Sequence, residues 1–344
     1  MIDITTVLNA ESISEFINGL PLVHTVGKVI FPAKKQMGID ITMIKGALNK
    51  PIVLKPSQFD TSVRVRSLRA DITQETKEIP FFKEAVVIKE KDRQNLLMAM
   101  SAANVQWRNL ILDNVYGNIS GLVDGADVQA ERMRMQLLAQ GAINIVTADG
   151  DIVLDYGHPV SNKETLTGTA KWSDTTNSNP VDDIGRWQDL VEIATGVRPS
   201  RAICSRTTFR FIQKNQKIRL DVNYNGSTII TETIIKQYLL AKVGVSLEII
   251  AGTFLAEDGI TELTYYPEGK LTLFPEGNLG NTYYGTTPEE ADLITGNAAD
   301  VKIVKEGIAI TTVKKTDPVT ILTKVSQICL PSFEKVLQVF IATI

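Results

Sequence analysis

The hydrophobic pattern is most regular between residues 124 and 156, where a helical period passes into a strand period. Apolar or small residues first recur every three or four positions, at Ala126, Ala130, Met133, Leu137 and Gly141. The positions predicted to face water are Glu131, Arg132, Arg134 and Gln136. This spacing predicts an amphipathic helix of about five turns. Asp124 is its expected N-cap, and Gly141 can adopt the left-handed conformation that ends a helix.

After Gly141 the apolar period changes to two. Ile143 and Ile145 alternate with small or polar residues, residues 148–151 (ADGD) have turn composition, and residues 152–156 (IVLDY) are again strand-like. A long helix is therefore predicted to lead into a β-hairpin. A separate helix is predicted before it, from Lys91 onward, with residues 116–118 (Tyr-Gly-Asn) as the interruption between the two.

Residues 52–91 combine strand-like apolar alternation with an unusual charge pattern. Three arginines are interleaved with Val63, Val65 and Leu68, and acids follow before Phe81 and Phe82. The charged positions are Arg64, Arg66, Arg69, Asp71, Glu75 and Glu78. The pattern predicts two long strands with a charged far end. A solvated hairpin without a partner is an alternative, and so is phosphate binding by the arginines, although the nearby acids largely cancel the local field.

A polar crossing over residues 161–180, rich in Ser, Thr and Asn, is the best candidate for a domain boundary. Beyond it, Pro180 and Gly196 mark the two ends of a predicted helix. Further helices are predicted over residues 207–215 and 228–243, and strands over residues 201–204, 246–250, 263–266 and 271–274. Residues 275–299 are rich in Gly, Asn and Thr and are predicted to form a long loop that contacts a partner. The whole pattern indicates an α+β fold.

Length and composition are those of an ordinary globular protein with two core-bearing units. The 344 residues are 44% hydrophobic and 22% charged, so extensive disorder is not expected. A net charge of −3 disfavours a dedicated nucleic-acid binder, because phosphate binding requires clustered positive charge. No run of about 18 apolar residues predicts a membrane span, and the N-terminus lacks the pattern of a secretory signal.

The sequence offers little chemistry. His24 and His158 are the only histidines and lack metal-ligand spacing, while Cys204 and Cys329 lie in apolar surroundings typical of buried thiols. Neither a nucleophile elbow nor a phosphate-binding glycine loop is present. The sequence therefore predicts no catalytic, cofactor-binding or metal site.

Residues 131–157 (ERMRMQLLAQGAINIVTADGDIVLDYG) resemble the signature of the lambda-like major capsid proteins of tailed bacteriophages, the phage capsid protein E family. In that family a long spine helix runs into a hairpin that closes on an aromatic-Gly pair. Further matching segments follow in the order that the family requires: residues 179–205 (NPVDDIGRWQDLVEIATGVRPSRAICS), 207–219 (TTFRFIQKNQKIR) and 330–344 (LPSFEKVLQVFIATI). Each motif occurs in many folds, so their order carries the resemblance.

The resemblance implies the Hong Kong 97-type capsid fold. Its parts would be an N-terminal arm (1–51), an extended loop (52–91), a peripheral domain with the spine helix (92–160), an axial domain (161–315) and a C-terminal return to the peripheral domain (316–344). In such a fold the arm packs across neighbouring subunits. The extended loop lies over an adjacent subunit, where its charged residues would pair with complementary charges across the contact.

The function implied is that of the major capsid protein of a tailed bacteriophage or prophage. Copies would assemble in the host cytoplasm into pentamers and hexamers of an icosahedral shell, which encloses double-stranded DNA without sequence-specific binding and becomes part of the virion. The implied partners are further copies, a separate scaffolding protein, a portal and a decoration protein, with no membrane.

Two alternatives remain. An encapsulin-like shell of the same fold would package protein cargo and would need a hydrophobic docking groove, which the sequence does not reveal. A two-domain cytosolic enzyme or binding module would stay monomeric at high concentration. Nuclease-protected DNA inside particles favours the phage capsid over the encapsulin-like shell.

Overall fold

The structure, a computed structural model, describes residues 9–20, 25–38, 40–45, 73–101, 105–146, 150–223, 229–295 and 300–344. The chain divides into two compact units. Unit 1 contains the described parts of residues 1–42, 76–133 and 280–332, and unit 2 those of residues 43–75, 134–279 and 333–344.

Helices and strands alternate irregularly along the chain. The helices are α1 (Ala10–Asn18), α2 (Val26–Ile30), α3 (Glu90–Ser101), α4 (Val105–Gln140), α5 (Pro180–Thr195), α6 (Arg206–Lys214), α7 (Gln216–Val222), α8 (Glu232–Val243) and α9 (Pro288–Thr295). The strands are β1 (Ala33–Lys35), β2 (Asp40–Lys45), β3 (Thr73–Glu78), β4 (Phe81–Ile88), β5 (Ala142–Ile145), β6 (Ile152–Asp155), β7 (Lys163–Thr165), β8 (Arg201–Ser205), β9 (Ser246–Ile250), β10 (Thr253–Leu255), β11 (Glu262–Thr264), β12 (Lys270–Phe274), β13 (Thr282–Tyr284), β14 (Asp300–Val304), β15 (Ile308–Thr316), β16 (Val319–Pro331) and β17 (Phe340–Thr343).

Unit 1 is built around a mixed sheet in the order β1-β13-β16-β15-β14, with β4 as a further neighbour of β16. The long strand β16 pairs antiparallel with β15 along one edge and with β4 and then β13 along the other. One face of this sheet is covered by α1 and α4. The buried cluster between them comprises Ile13, Ile17, Ile119, Val123, Val304, Ile308, Ile310 and Val325.

The N-terminal segment folds onto its own unit. Ile13 and Ile17 of α1 are buried in the unit 1 cluster, and β1 pairs in parallel with β13. The backbone N–H of Ala10 donates to a carboxylate oxygen of Asp300 at 2.9 Å. The expectation that the arm packs across neighbouring subunits stays a prediction. Within the chain, one apolar face of α1 is covered by the unit 1 sheet, and β1 is a strand of that sheet.

The spine helix is longer than the sequence indicated. Helix α4 runs without a break from Val105 to Gln140, so the predicted interruption at residues 116–118 and the N-cap at Asp124 are wrong. Ile119 and Val123 are buried on the unit 1 sheet. Their packing stabilises the turns that Gly117 weakens, because a glycine inside a helix costs only about 1 kcal/mol relative to alanine.

Burial along the spine helix is also broader than predicted. The helical period predicts that Glu131 and Arg134 face solvent, yet the two residues are only 4% and 0% exposed. The last turns of the helix are buried on nearly every side, so the amphipathic period ceases to describe them. The helix end itself is as predicted. Gly141 has a φ of 75°, and the expected hairpin forms between β5 and β6.

Unit 2 contains a second mixed sheet in the order β7-β17-β12-β8-β9. Strand β12 is antiparallel to β8 and β17, whereas β8 and β9 are parallel. The ring of Trp187 on α5 stacks between those of Trp172 and Phe340, with centroid distances of 5.8 Å and 5.4 Å. Helices α5 to α8 contribute to the same apolar cluster.

The C-terminal strand belongs to this second sheet. β17 lies between β7 and β12, and both of those strands fall in the range predicted to be the axial domain. The expectation that residues 336–344 pair with the peripheral domain is therefore wrong. Phe340 gives the reason, since its aromatic ring completes the stack on Trp187.

Residues 275–299 are only partly a loop. Strand β13 lies between β1 and β16, and α9 follows it. A Cβ atom at Gly280 would lie 2.2 Å from the carbonyl oxygen of Ser332, and one at Gly285 would lie 2.7 Å from a methyl carbon of Ile328. The glycines therefore permit close backbone packing, which explains why a sheet segment has loop-like composition.

The remaining predicted elements are largely confirmed. Helix α5 begins at Pro180 and ends at Gly196, whose φ is 79°, and the strands β8, β9 and β12 lie where the pattern placed them. Helix α8 begins at Glu232, four residues later than predicted, because the side chain of Thr231 caps it by accepting from the N–H of Ile234.

Candidate assembly surfaces

The charged residues predicted to contact a neighbouring copy are mostly outside the described part of the chain. Arg64, Arg66, Arg69 and Asp71 all lie there. Glu75 belongs to β3, and Glu78 ends that strand with an exposed side chain. Strand β3 forms a two-stranded sheet with β2. The role of the six charged residues stays a prediction.

The C-terminal part of the predicted extended loop is anchored in unit 1. Residues 81–88, as strand β4, pair with β16 in continuous register from Phe81 opposite Ile328 to Ile88 opposite Ile321. Strand β4, which falls within the predicted extended loop, is therefore part of the unit 1 sheet. Among the described strands, β4 pairs with β16 alone, which leaves its outer edge open to a further strand.

An apolar row crosses the face of the unit 1 sheet that is opposite to α1 and α4. Val87 of β4 lies opposite Leu322 of β16, which in turn lies opposite Val313 of β15. Val87 and Val313 are 41% and 42% exposed. Side chains at paired positions share one sheet face, so the three residues form a continuous apolar strip. We call Val87, Leu322 and Val313 the outer row.

Next to the outer row, α9 is fixed to the same strand by charge. Ser326 donates to Glu289 at 2.9 Å, and the ammonium of Lys324 donates to the other oxygen of the same carboxylate. Burial alone would raise the pKa of Glu289, but the hydrogen bonds from Lys324 and Ser326 bring it below the ordinary value. The carboxylate is thus kept ionised, and α9 is held in place beside the outer row.

The N-terminal segment is fastened to the spine helix by hydrogen bonds to Glu131. The carboxylate of Glu131 accepts hydrogen bonds from the hydroxyl of Thr25 at 2.7 Å and from the backbone N–H of Gly27 at 2.9 Å. A Cβ atom at Gly27 would lie 2.5 to 2.8 Å from the carboxylate, so glycine is needed for this approach. We call Thr25, Gly27 and Glu131 the clasp.

Ion pairs extend the clasp along the spine helix. Asp127 is bound by Lys28 at 3.4 Å and by Lys305 at 2.9 Å, and Lys305 also reaches Asp124 at 3.2 Å. Burial opposes the charge of Lys305, yet the hydrogen bonds to Asp127 and Asp124 raise its pKa above the ordinary value. The N-terminal segment and the β14–β15 turn are therefore tied to one face of the same helix.

Three side chains satisfy the carbonyl groups at the end of the spine helix in unit 2. Thr272 donates to the Leu138 oxygen at 2.6 Å, Lys270 to the Ala139 oxygen at 2.8 Å, and Lys163 to the Gln140 oxygen at 3.0 Å. Cations at a helix C-terminus are favourable because they face the negative end of its dipole. Burial lowers the pKa of Lys270, and the nearby charge of Lys163 adds to this effect.

His158 is buried against the same helix end. Its Nε2 lies 3.1 Å from the Val339 carbonyl oxygen, and a Cβ atom at Gly141 would lie 2.5 Å from its own Cβ. Burial lowers the pKa of His158 to about 4, and the charge of Lys163 acts in the same direction. The folded protein thus holds a neutral imidazole at neutral pH, in a structural position.

Acidification is expected to destabilise unit 2 through His158. Its folded pKa lies below the usual value of 6.5, so the unfolded chain binds a proton first as the pH falls. The unfolding free energy should therefore drop by about 3 kcal/mol between pH 6.5 and pH 4. Denaturant unfolding of the wild type and of His158→Gln across this range measures the effect. Parallel curves for the two proteins would contradict it, because the variant lacks the titrating group.

Both cysteines lie among the described residues and are buried. Burial raises the pKa of the Cys204 thiol to about 12, and Cys329 is also a buried free thiol, so neither is reactive at neutral pH. No group of acidic, histidine and cysteine side chains in the described part could hold a metal ion. Among the described helices, none combines the length and apolar composition of a membrane span.

Sequence reasoning missed the clasp and the outer row. Glu131 lies between apolar positions of the spine helix, so the helical period predicts that it faces solvent. Its hydrogen-bond partners are more than 100 residues away in the chain, and the period of one helix does not reveal them. The glycine at position 27 was the one available signal, because it permits the close approach of a side chain. The outer row joins strands from distant parts of the sequence, and periodicity within one strand does not reveal which strand lies beside it.

Comparisons with known proteins identify a family and a shared fold. A model of the family described as phage major capsid protein E matches residues 9–344. The structure is similar to the putative capsid protein of a prophage of Escherichia coli CFT073 (15% identity, 98% of this chain and 99% of that chain, TM-score 0.63) and to a phage-related protein of Bordetella bronchiseptica RB50 (12% identity, 97% and 96%, TM-score 0.60). It is also similar to the capsid subunit of cyanophage A-1(L) (12% identity, 92% and 91%, TM-score 0.52). No curated protein matches the chain. At these identities the solved structures show a shared fold.

Proposed function

Because this chain belongs to the family of phage major capsid protein E, we propose that its copies join into pentamers and hexamers that close into an icosahedral shell around double-stranded DNA. The observation that carries the proposal is the extent of the family match, which includes both compact units. A shell function requires contacts distributed over the whole chain, since each contact is modest and closure of the assembly multiplies them.

The exposed apolar surface of unit 1 supports self-assembly. The outer row is apolar across three strands, and it lies beside an open sheet edge at β4. Apolar strips and open sheet edges of this kind are the surfaces on which proteins associate. We infer that another copy of the chain covers the outer row in the shell.

The DNA inside the shell would be held by enclosure. The net charge of −3 provides no excess of positive charge to neutralise phosphates, and none is needed for a container. The family and the fold are structural, so the protein would act through association and without catalysis. A separate scaffolding protein, a portal and a decoration protein are proposed partners, with assembly in the host cytoplasm and the virion as the final location.

Electron microscopy and nuclease treatment test the proposal together. The purified chain, supplied with scaffolding protein, is expected to form closed particles in negative stain, and particles from infected or induced cells should contain nuclease-protected DNA. Closed particles with protein cargo and no DNA would favour the encapsulin-like alternative. A protein that stays monomeric at high concentration with scaffold present would contradict both shell functions.

Val313→Asp should weaken assembly much more than it weakens the fold. The side chain of Val313 is 42% exposed, so the poorer strand propensity of Asp and the lost apolar contact should lower the unfolding free energy by about 1 kcal/mol. Burying the aspartate charge under a neighbouring copy should raise the concentration needed for particle formation at least about tenfold. Light scattering against protein concentration measures this effect.

Thr316→Asp is the matched control for Val313→Asp. It places the same charge at an exposed position of β15, on the opposite face of the strand. It should assemble like the wild type. Equal assembly of both variants and the wild type would show that the outer row is not an assembly surface.

A further inference from the structure

A small β-hairpin in unit 2 is exposed on both faces. Its strands β10 and β11 pair Phe254 with Leu263 and Leu255 with Glu262. Leu255, Ile260 and Leu263 are 60%, 85% and 39% exposed. An isolated two-stranded hairpin is marginally stable in water at best, and exposed apolar side chains add to the cost. Within the described part of the chain, this hairpin therefore presents an apolar surface that a partner would stabilise.

The tip of the hairpin is organised before any partner arrives. The carboxylate of Asp258 accepts from the backbone N–H of Ile260 at 2.9 Å and of Thr261 at 2.8 Å, and the Thr261 hydroxyl also donates to it. The hydrogen bonds from Thr261, its hydroxyl first, hold the pKa of Asp258 below the ordinary value. Ile260 is thus displayed on a fixed turn, which lowers the entropic cost of binding.

An apolar groove lies between α5 and α8 of the same unit. It has a volume of about 530 Å³, and its apolar lining consists of Val181, Leu190, Ile193 and Val243. Ile193 is 71% exposed at the groove, which makes it the most open apolar side chain there. The groove is large enough to accept a branched aliphatic side chain together with the turn that carries it.

The charges at the rim of the groove favour binding of an acidic group at one position. The rim carries Asp182 and Asp189 as well as Arg186 and Lys242. Arg186 is bound to Glu164 at 2.6 Å and to Asp183 at 3.0 Å, whereas Lys242 has a single exposed contact with Asp221 at 3.4 Å. An exposed pair of that kind contributes little. Lys242 is therefore the cation that an incoming carboxylate would meet.

The hairpin has the matching charge. Residues 253–264 contain three acids, Glu257, Asp258 and Glu262, and no basic residue. Its surface is thus apolar and acidic, and the groove is apolar with two acids and two cations at its rim, of which Lys242 is the cation held by a single exposed contact. An acidic residue beside Ile260 complements Lys242 without disturbing the ion pairs of Arg186.

The hairpin and the groove lie at opposite ends of one edge strand. Helix α8 ends at Val243, just before β9 begins, and the hairpin starts at Thr253, just after β9 ends. Strand β9 is the edge of the unit 2 sheet, and its five residues span about 16 Å. A projection at one end and a recess at the other are suited to head-to-tail contact between copies, which generates rings when the rotation closes.

We propose that Ile260 at the hairpin tip of one copy docks into the α5–α8 groove of the next copy and links subunits within a ring. The proposal rests on the proposed function, since it names one contact through which copies assemble. Lys242 would exchange Asp221 for an acid of the hairpin at this contact.

Cysteine cross-linking tests the contact directly. The chain's own cysteines, Cys204 and Cys329, are buried, so only the engineered surface thiols should form disulfides between copies. A chain carrying both Ile193→Cys and Ile260→Cys should yield, after mild oxidation of assembled material, a ladder of covalent oligomers that ends at five or six copies. A mixture of the two single variants should yield covalent dimers and no higher ladder.

The control replaces the hairpin thiol with one of equal exposure elsewhere. Val160 of unit 2 is 84% exposed, close to the 85% of Ile260, so Ile193→Cys combined with Val160→Cys should remain uncross-linked. Particle formation by the wild type is scored first. Its absence would contradict the proposed function, whereas particles from the Ile193→Cys and Ile260→Cys chain that contain only monomers after oxidation would overturn this inference alone.

Discussion

Deletion of residues 61–78 should abolish shell formation and leave a folded, monomeric chain. These residues include all six predicted contact charges, and of residues 73–78, the part that the structure describes, none belongs to the buried cluster of either unit. The deletion therefore removes a surface for a neighbouring copy while both sheets keep their packing. Negative-stain microscopy and sedimentation measure the assembly state, and circular dichroism measures folding.

Two further variants separate the charge pattern from the length of the connection. A Gly/Ser segment of equal length in place of residues 61–78 should also fail to assemble. Reversal of the charges of Arg64, Arg66 and Arg69 to glutamate should reduce assembly strongly at low salt and less at high salt, because exposed charge pairs are screened. Normal shells from the deleted chain would show that this segment does not reach a neighbouring subunit.

Glu131→Ala is expected to release the N-terminal segment from the spine helix. The substitution leaves the hydroxyl of Thr25 and the buried N–H of Gly27 without their acceptor, so the local opening free energy should fall by about 4 kcal/mol. The amide of Phe31, which donates to the Gly27 carbonyl at 2.8 Å, should then exchange about a thousandfold faster with solvent. Hydrogen exchange measured residue by residue reports this change.

A double-mutant cycle with Gly27→Ala identifies the clasp as the cause. In the wild type the added methyl group collides with the Glu131 carboxylate, so exchange at Phe31 should accelerate; in Glu131→Ala the same change should have little further effect. Asp124→Ala is the matched control, because it removes from the same helix a carboxylate with weak contacts, an exposed ion pair with Lys305 and a long hydrogen bond of 3.5 Å from the hydroxyl of Ser120. Additive effects of the first two substitutions would show that Glu131 acts elsewhere.

The clasp holds the N-terminal segment in place within its own chain. Helix α1 is buried on the unit 1 sheet, and Glu131 accepts from the backbone N–H of Gly27 in α2. Among the described residues, we propose the outer row, the open edge of β4 and the hairpin with its groove as surfaces between copies.

The sequence by itself determined the class of fold and the family. The order of the spine helix, the hairpin at Gly141, the helix from Pro180 and the apolar C-terminus indicated the α+β, Hong Kong 97-type capsid fold, and the family match over residues 9–344 confirms it. These signals are local: a hydrophobic period, a cap and a glycine with positive φ act over a few neighbouring residues. They can therefore be recognised in the sequence without knowledge of the tertiary structure.

Only the tertiary structure decided which segments meet. Helix α4 continues through Gly117 because Ile119 and Val123 pack on a sheet whose strands are distant in sequence. Glu131 is buried because its hydrogen-bond donors come from the N-terminal segment. The tertiary structure also assigned β17 to the second sheet through the stack of Phe340 on Trp187. Free energies of packing between distant segments exceed the local preference of about 1 kcal/mol that a sequence pattern records, so these choices are made where the segments come together in space.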